Sequence, residues 1–528
     1  MPRVRKDVWK LPAGDTTLQW YGKAVLELKK RPISDPTSWW SLAAMHGIDR
    51  QLWIDLGYLD AEESLPFDPT AEGFWNQCQH QSWYFLPWHR GYLGAFEAIL
   101  LDAIVKLGGP PDWALPYWNY DADNPATLKF PTAFASEKLA DGSPNGLWVK
   151  QRYGRNGDGN IIITKGNVSL TRLWTATEFF DEANVVPTSF GGSRTGFNHG
   201  QGRGSGQLES APHGPIHVLV GGTKAGGDPD VLSDNGLMAM FETAGLDPIF
   251  WVHHANIDRL WEVWLTIRAT AGAAGHPYQN PTDTGFLNQP AGKFIMPRPD
   301  GSTFTFTPGQ VLDTTDPALD YIYQEVKAPP RTVTALSARL ERLGVPKAET
   351  DLLSGVLAMA PHKRTELVGA NDTAIQLGGG TVDTHVSLDA AANDRFAAKL
   401  SLDTLTSPNA TSPPDRIYLA LENITSTTDS AVFQVYVDLP KDKDPDDHPE
   451  KLAGVVSLFG ARQASDPNGP HSGNGLTETL DITDIVDALH ITGMLDAGRL
   501  NVRIVPQMPM SEKSRITVGR IRVYRQGD

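Results

Sequence analysis

Apolar residues recur at helical spacing in two long segments of the chain. In Leu93–Lys106 they return every three or four positions, and Gly108-Gly-Pro-Pro marks the end of that segment. In Ile249–Ile267 the same spacing returns directly after Pro248, a residue that suits the first turn of a helix. The pattern therefore predicts two long helices.

The pattern changes to short β-branched runs, bounded by turn residues, in the last third of the chain. These runs are 416–424, 431–440, 454–460 and 515–524. Such runs are typical of an antiparallel β-sandwich. We predict a mainly helical domain over 1–327, a linker with short helical patches over 328–369 and a β-sandwich domain over 370–528.

Composition and charge narrow the range of partners. The chain has 528 residues, a net charge of −16 and one cysteine. An acidic surface disfavours nucleic acid and anionic membranes, and no apolar run is long enough to span a bilayer. A single cysteine excludes an intrachain disulfide, and the start of the chain has no apolar signal region, so we expect a cytoplasmic protein. The oligomeric state stays open.

Six histidines fall into two groups of three that suggest metal ligands. The groups are His46, His80 and His89, and His213, His217 and His254. Residues four apart share one face of a helix, so His213 and His217 are expected to lie side by side. Neutral imidazole suits copper, zinc, iron and nickel, and an all-nitrogen shell at two adjacent metals favours copper over a dizinc hydrolase.

The segments around these histidines resemble the paired copper sites of type-3 copper proteins, namely tyrosinases, catechol oxidases and molluscan-type haemocyanins. The resemblance is carried by Cys78–Glu97, which includes Trp-His-Arg-Gly-Tyr-Leu-Gly-Ala-Phe-Glu, and by Glu209–Trp261. It implies an α+β multidomain protein. The catalytic domain would be mainly helical, with a four-helix bundle around a dicopper site, and a C-terminal β domain would cover that site.

The resemblance also implies which histidines bind copper. His46, His80 and His89 would hold one ion, and His213, His217 and His254 the other. His46 has little flanking signal, and His199 is its weak competitor. In the pair His253-His254 the family uses the second residue, and a neighbouring side chain on a helix is expected to point about 100° away.

Further residues are assigned by the same resemblance. Cys78 would form a thioether bond to His80, with a free buried thiol as the alternative. Asp258 and Arg259, just after His254, are expected either to contact the ligand histidines or to pack the ligand helix. The first role has a physical reason, since ligand histidines usually donate their second ring nitrogen to a fixed acceptor. Arg5 is the candidate partner of the Tyr-Ile-Tyr motif that ends at Tyr323.

Four residues are expected to shape the substrate cavity. Glu209 resembles the glutamate that orders a water near the second copper. Gly214 stands where many efficient monophenol oxidases have asparagine, which weakens the case for monophenol hydroxylation. Val218 is small and would leave the entrance open. Phe241 matches the aromatic gate of plant catechol oxidases, with a core role as the alternative.

The function implied is a copper-dependent polyphenol oxidase that uses O2 to oxidise o-diphenols to o-quinones, with hydroxylation of monophenols as in tyrosinases. The alternatives are a catechol oxidase or an o-aminophenol oxidase without monophenol activity, and a haemocyanin-like oxygen carrier. The partners are phenolic small molecules and O2. The C-terminal domain is expected to autoinhibit the enzyme, with Leu458-Phe459 as the hypothetical plug.

Overall fold

The N-terminal part of the protein is mainly helical. The computed structural model describes residues 1–70, 73–120, 124–139, 142–182, 186–197, 204–270, 278–327, 332–350, 364–389, 399–400, 405–406, 413–469, 472–496, 498–511 and 513–527. The helices are α1 (Thr17–Leu28), α2 (Trp39–His46), α3 (Arg50–Asp55), α4 (Phe85–Lys106), α5 (Thr171–Thr175), α6 (Gly214–Gly221), α7 (Pro248–Thr270) and α8 (Thr284–Leu287). Four short strands accompany them: β1 (Arg3–Arg5), β2 (Phe294–Pro297), β3 (Thr303–Phe306) and β4 (Tyr321–Tyr323). Within the described ranges, no helix has both the length and the apolar character needed to cross a membrane.

The two predicted long helices are confirmed as α4 and α7. At the start of α7, the Asp247 carboxylate accepts a hydrogen bond from the Ile249 amide, which satisfies one of the donors left open there. Phe96 of α4 stacks on Trp251 of α7 with 3.5 Å between ring centroids. This aromatic contact joins the two helices in the buried core beneath the histidines.

The two chain segments at the ends of the catalytic part meet in a small parallel ladder. Strand β1 pairs with β4, so that Arg5 lies opposite Tyr323. The Arg5 guanidinium donates to the Tyr323 hydroxyl at 2.9 Å and lies 3.5 Å from the ring centroid of Tyr321. The predicted pairing of Arg5 with this tyrosine motif is therefore confirmed.

The C-terminal part is an antiparallel sheet, as predicted. Its strands are β5 (Arg364–Ala370), β6 (Ile375–Leu377), β7 (Val382–Leu388), β8 (Arg416–Ser426), β9 (Val432–Val437), β10 (Leu452–Ser457), β11 (Leu476–Asp481), β12 (Arg499–Pro506) and β13 (Ile516–Gly527). The order is β10-β9-β12-β7-β5-β13-β8-β11, with β6 paired to β13. The end strands β10 and β11 also touch, so one continuous sheet curls around a single core. Helices α9 (Thr332–Arg342), α10 (Ala461–Ala464) and α11 (Thr483–Ile491) accompany the sheet.

The division into domains at 327/328 and 369/370 stays a prediction. Strand β5 begins at Arg364, inside the predicted linker, and Leu340 and Leu343 of that segment pack in the core of the sheet. The second helical patch expected in the linker falls mostly on 351–363, outside the described residues.

The sheet is docked on the helical part through polar and apolar contacts. Arg416 donates to the Thr175 carbonyl at 2.6 Å, and the Thr428 hydroxyl donates to the Pro229 carbonyl at 2.9 Å. Val455 and Phe459 belong to the same buried apolar cluster as the catalytic helices. Docking therefore brings the end of β10 and the residues after it over the histidines.

Candidate active site

All six predicted histidines converge at the centre of the helical part. One cluster holds His46, His80, His89 and the thiol of Cys78, and the other holds His213, His217, His253 and His254. Within each cluster the possible ligand atoms lie within 4.8 Å of one another. The clusters adjoin, since the rings of His80 and His213 are 5.6 Å apart and those of His89 and His254 are 4.3 Å apart. His199 lies outside the described residues.

Four helices position these side chains. His46 is the last residue of α2, His89 lies early in α4, and His254 lies early in α7. His217 lies in α6, and His213 immediately precedes that helix with helical backbone angles (φ −56°, ψ −61°). The rings of His213 and His217 are consequently 4.6 Å apart, as their spacing predicted. Regular four-helix-bundle packing of these helices stays a prediction.

Backbone carbonyls orient three of the rings. The Nδ1 atoms of His46, His89 and His217 lie 3.0, 2.7 and 2.9 Å from the carbonyl oxygens of Phe241, Phe85 and Met238. A carbonyl oxygen can only accept, so each Nδ1 carries the proton and each Nε2 keeps its lone pair. This is the arrangement in which a neutral imidazole can bind a metal through Nε2.

Burial favours the neutral form of four of the six predicted ligands. Burial lowers the pKa of His89 to about 3, and burial together with the neighbouring imidazoles lowers the pKa values of His213, His217 and His254 well below the ordinary range. Only a neutral ring can act as a metal ligand. These four rings are therefore available as metal ligands at physiological pH.

The expectation that His253 points away from the site is wrong. Its ring lies 5.0 Å from that of His217 and 5.5 Å from that of His213. The imidazole is long enough to reach back to the cluster from the adjacent position on α7. Its Nδ1 atom is 3.0 Å from the Tyr120 hydroxyl. By contrast, the Nε2 atoms of His217 and His254 face each other at 3.2 Å, which favours His254 as the ligand.

Cys78 lies against both rings of the first cluster. Its Sγ atom is 3.7 and 3.9 Å from Nδ1 and Nε2 of His80, and 3.3 Å from Nε2 of His89. Near-equal distances to the two His80 nitrogens are expected for a sulfur that faces the Cε1 atom between them. Burial raises the pKa of the Cys78 thiol well above its ordinary value.

Glu209 is buried at the edge of the second cluster. Both of its carboxylate oxygens accept from the backbone amide of Gln81, at 2.9 and 3.0 Å. Burial raises its pKa to about 8, and the nearby carboxyl of Glu478 contributes to the increase. Glu209 lines the same cavity as His80 and His213.

Gly214 and Val218 are placed differently from each other. Gly214 lines the cavity, and a Cβ atom at this position would lie 2.3 Å from the Ser457 hydroxyl of β10. Val218 is fully buried and is not among the described residues that line the cavity. Its side chain packs into the core of the catalytic part, and its expected effect on the entrance stays a prediction.

Two phenylalanines lie against the histidines from opposite parts of the protein. Phe241 lines the cavity, with its ring 4.8 Å from that of His46 and 5.5 Å from that of His80. Phe459, which follows β10, stacks on His217 with 4.1 Å between centroids and an angle of 23°. It also lies 5.7 Å from the ring of His213. The aromatic ring of Phe459 thus covers the second cluster.

Asp258 and Arg259 do not touch the predicted ligands through their charged ends. Asp258 accepts from Arg90 at 2.6 Å and from the hydroxyls of Tyr321 and Tyr323 at 2.5 Å each. Arg259 donates to Asn256 and Asn119. These buried contacts fix α7 against β4 and α4, so both residues act on the site through the position of the helix.

Several cavity residues were missed by sequence reasoning. Ser457, Gln463 and Glu478 reach the cavity from the C-terminal part. Glu478 stands in Leu-Thr-Glu-Thr-Leu-Asp, where alternation alone does not show that the strand packs against a second domain. No local pattern could have revealed these contacts.

Comparison with known proteins identifies the family. Residues 36–267 match the common central domain of tyrosinase, and residues 364–526 match a domain of unknown function. Tyrosinase HcTyr1 of Hahella sp. (strain CCB-MM4) is 32% identical over the full length of both chains. The chain belongs to the tyrosinase family. A chloroplastic polyphenol oxidase of Malus domestica is 30% identical over 64% of this chain, and the match spans only 53% of the apple protein.

Solved structures support the arrangement of the whole tyrosinase chain. The structure of latent apple tyrosinase covers 99% of this chain with a TM-score of 0.58 and 22% identity. Latent aurone synthase covers all of it with a TM-score of 0.58 and 19% identity. At these identities the likeness shows the fold, namely a helical part followed by a C-terminal β domain.

The donor set fits the dinuclear copper centre of this family. Two clusters of neutral imidazoles adjoin, and neither ring nitrogen of His213 has a hydrogen-bond partner among the described residues. An uncompensated buried nitrogen costs free energy, which a metal ion would recover. The protein is therefore a copper-dependent polyphenol oxidase with O2 as its co-substrate.

Proposed function

We propose that this protein is an o-diphenol oxidase that its own C-terminal domain keeps latent. His46, His80 and His89 would bind one copper ion, and the second would be bound by His213, His217 and His254. The observation that carries the proposal is the meeting of two neutral imidazole clusters beneath the ring of Phe459. Two diphenols and one O2 give two o-quinones and two waters, and the copper pair supplies the binding of O2 and the electron transfer.

Glu209 is proposed to take the phenolic proton, directly or through a water. Its carboxyl lines the same cavity as His213, and the Gln81 amide donates to both of its oxygens. A base that is fixed within reach of the substrate oxygen lowers the barrier to deprotonation. Phe241 supplies an apolar wall on which the substrate ring can rest.

Hydroxylation of monophenols is proposed as a slower second activity. Glu209 supports it because the monophenol, which is the weaker acid at the site, needs a base. Gly214 opposes it because glycine has no amide side chain with which to orient the proton-accepting water. We therefore expect monophenol turnover after a lag, at a lower rate than that of the matching o-diphenol.

Latency is proposed to result from the position of Phe459. A phenol ring that approaches the second cluster needs the space above His217 that the Phe459 ring occupies. The ring is only 9% exposed, so substrate cannot displace it without moving the domain or the side chain. Arg462 reinforces the docked state through its ion pair with Glu242.

Oxygen uptake by the copper-loaded protein tests the proposal. The intact protein and the Phe459→Ala variant are each given 4-ethylphenol and 4-ethylcatechol. We expect little O2 uptake by the intact protein, and rapid O2 uptake by the variant when 4-ethylcatechol is the substrate. If a variant that has bound two copper ions takes up no O2 with either substrate, the proposed function is contradicted. Reversible O2 binding by that variant would then indicate a carrier.

A thioether between Cys78 and His80 is also proposed, on the basis of the sulfur position described above. The thiol S–H bond and one ring C–H bond would break as the S–C bond forms, and O2 would take up the two electrons and two protons as H2O2. Denatured copper-loaded protein should then resist alkylation at Cys78, whereas protein expressed without copper should react. A freely alkylated thiol in the fully active enzyme would exclude the bond.

A further inference from the structure

Two carboxyl groups from different parts of the protein face the same cavity. Glu209 belongs to the catalytic part, and Glu478 projects from β11 of the C-terminal sheet. Glu209 is proposed to accept the phenolic proton at the end of the cavity that the histidines line. Glu478 has no part in that chemistry, so its presence in a buried wall needs a separate explanation.

One carboxylate oxygen of Glu478 is buried without a hydrogen-bond partner among the described residues. The residue is 4% exposed, and the oxygen in question is Oε2. Burial raises the pKa of Glu478 to about 7, although the Ser210 hydroxyl and the positive charge of Arg172 both act to lower it. Arg172 itself donates to the carbonyl oxygen of Ala453. The free oxygen of Glu478 is therefore available to a ligand in the cavity.

The charged groups in the cavity wall determine whether a positively or a negatively charged ligand is favoured. Among the described residues that line the cavity there are two carboxyls, and no lysine or arginine. Charges in a poorly solvated cavity interact more strongly than they would in water. A substrate with a second negative charge is thus disfavoured, and one with an ammonium group would satisfy the Glu478 oxygen.

We propose that Glu478 is a specificity-determining residue contributed by the C-terminal domain, and that it favours phenols and catechols with an ammonium group on a short side chain. This inference rests on the proposed function, because the phenolic end must lie at the histidines for the ammonium group to lie at Glu478. It gives the β domain a second role, as one wall of the substrate site.

Kinetics on a matched series of catechols tests this inference. Dopamine, 4-ethylcatechol and 3-(3,4-dihydroxyphenyl)propionate share one skeleton and differ in the charge at the end of the side chain. Copper-loaded Phe459→Ala provides an open cavity that keeps the β domain. We expect its kcat/KM for dopamine, relative to 4-ethylcatechol, to fall about tenfold on addition of Glu478→Gln, the usual size for loss of a charged hydrogen bond. Glu478→Asp should restore part of the ratio.

Binding to the metal-free protein supplies a readout that does not depend on turnover. Calorimetry of dopamine and 4-ethylcatechol with metal-free Phe459→Ala should show tighter binding of dopamine, and Glu478→Gln should remove the difference. The inference would be overturned if the ratio of kcat/KM for dopamine to that for 4-ethylcatechol were the same with and without Glu478→Gln. A preference for the propionate would also overturn it. If 4-ethylcatechol is not oxidised at all, the proposed function fails, and the calorimetry still decides the role of Glu478.

Discussion

Replacement of Phe459 by alanine gives the most direct test of how the domains are coupled. The wild-type ring is nearly buried and stacks on His217, so truncation removes a large apolar contact from the interface. Buried Phe→Ala replacements usually cost about 3–5 kcal/mol. If about 3 kcal/mol of that cost falls on docking, the open population rises roughly a hundredfold, since each 1.4 kcal/mol is a factor of ten.

The replacement also acts on the docked state itself. The space left above His217 has the dimensions of one benzene ring, which is what a catechol must insert. Both effects raise activity, so we expect the intact copper-loaded variant to approach the rate reached after proteolytic release of the C-terminal domain. Oxygen uptake with 4-ethylcatechol, measured before and after limited proteolysis, checks this expectation.

A neighbouring replacement controls for general loosening of the β domain. Leu458 is fully buried in the core of the sheet and does not belong to the residues that line the cavity in the described structure. Leu458→Ala should destabilise the domain to a similar degree but leave the ring of Phe459 in place. Equal activation by both variants would refute the plug, as would a Phe459→Ala protein that stays latent while its proteolysed form is active.

Three further predictions concern docking, pH and stability. Gly214→Asn should undock the β domain and raise protease sensitivity, because a side chain there meets Ser457; the added change Ser457→Gly should restore part of the protection. Burial raises the pKa of Glu478 from 4.5 to about 7, so the docked state should become about 3 kcal/mol less stable relative to the undocked state as pH rises from 4.5 to 7. The activity of the intact enzyme should rise over that window, and Glu478→Gln should remove the rise. Asp258→Asn removes the carboxylate that Arg5 and Arg90 share and leaves each buried arginine with a single acidic partner, Glu97 or Glu262. It should cost about 3 kcal/mol, seen as a lower Tm in calorimetry, whereas Asp320→Asn, at a half-exposed carboxylate, should change Tm little.

The helical core and its ligand spacing were predictable from the sequence. Apolar residues at helical intervals indicated α4 and α7, and the four-residue interval placed His213 beside His217. These features depend on contacts between residues close in sequence, which a linear pattern records directly. The antiparallel character of the C-terminal part was predictable for the same reason, although the single curled sheet was not.

The tertiary structure alone decided what faces the copper site from outside the helices. Sequence suggested a plug at Phe459 but could not show that its ring stacks on His217. It misjudged His253, whose ring returns to the cluster, and it gave no sign that Glu478 is buried. Periodicity tells which side of a strand or helix is buried, whereas the partner that buries it is set by packing between residues hundreds of positions apart.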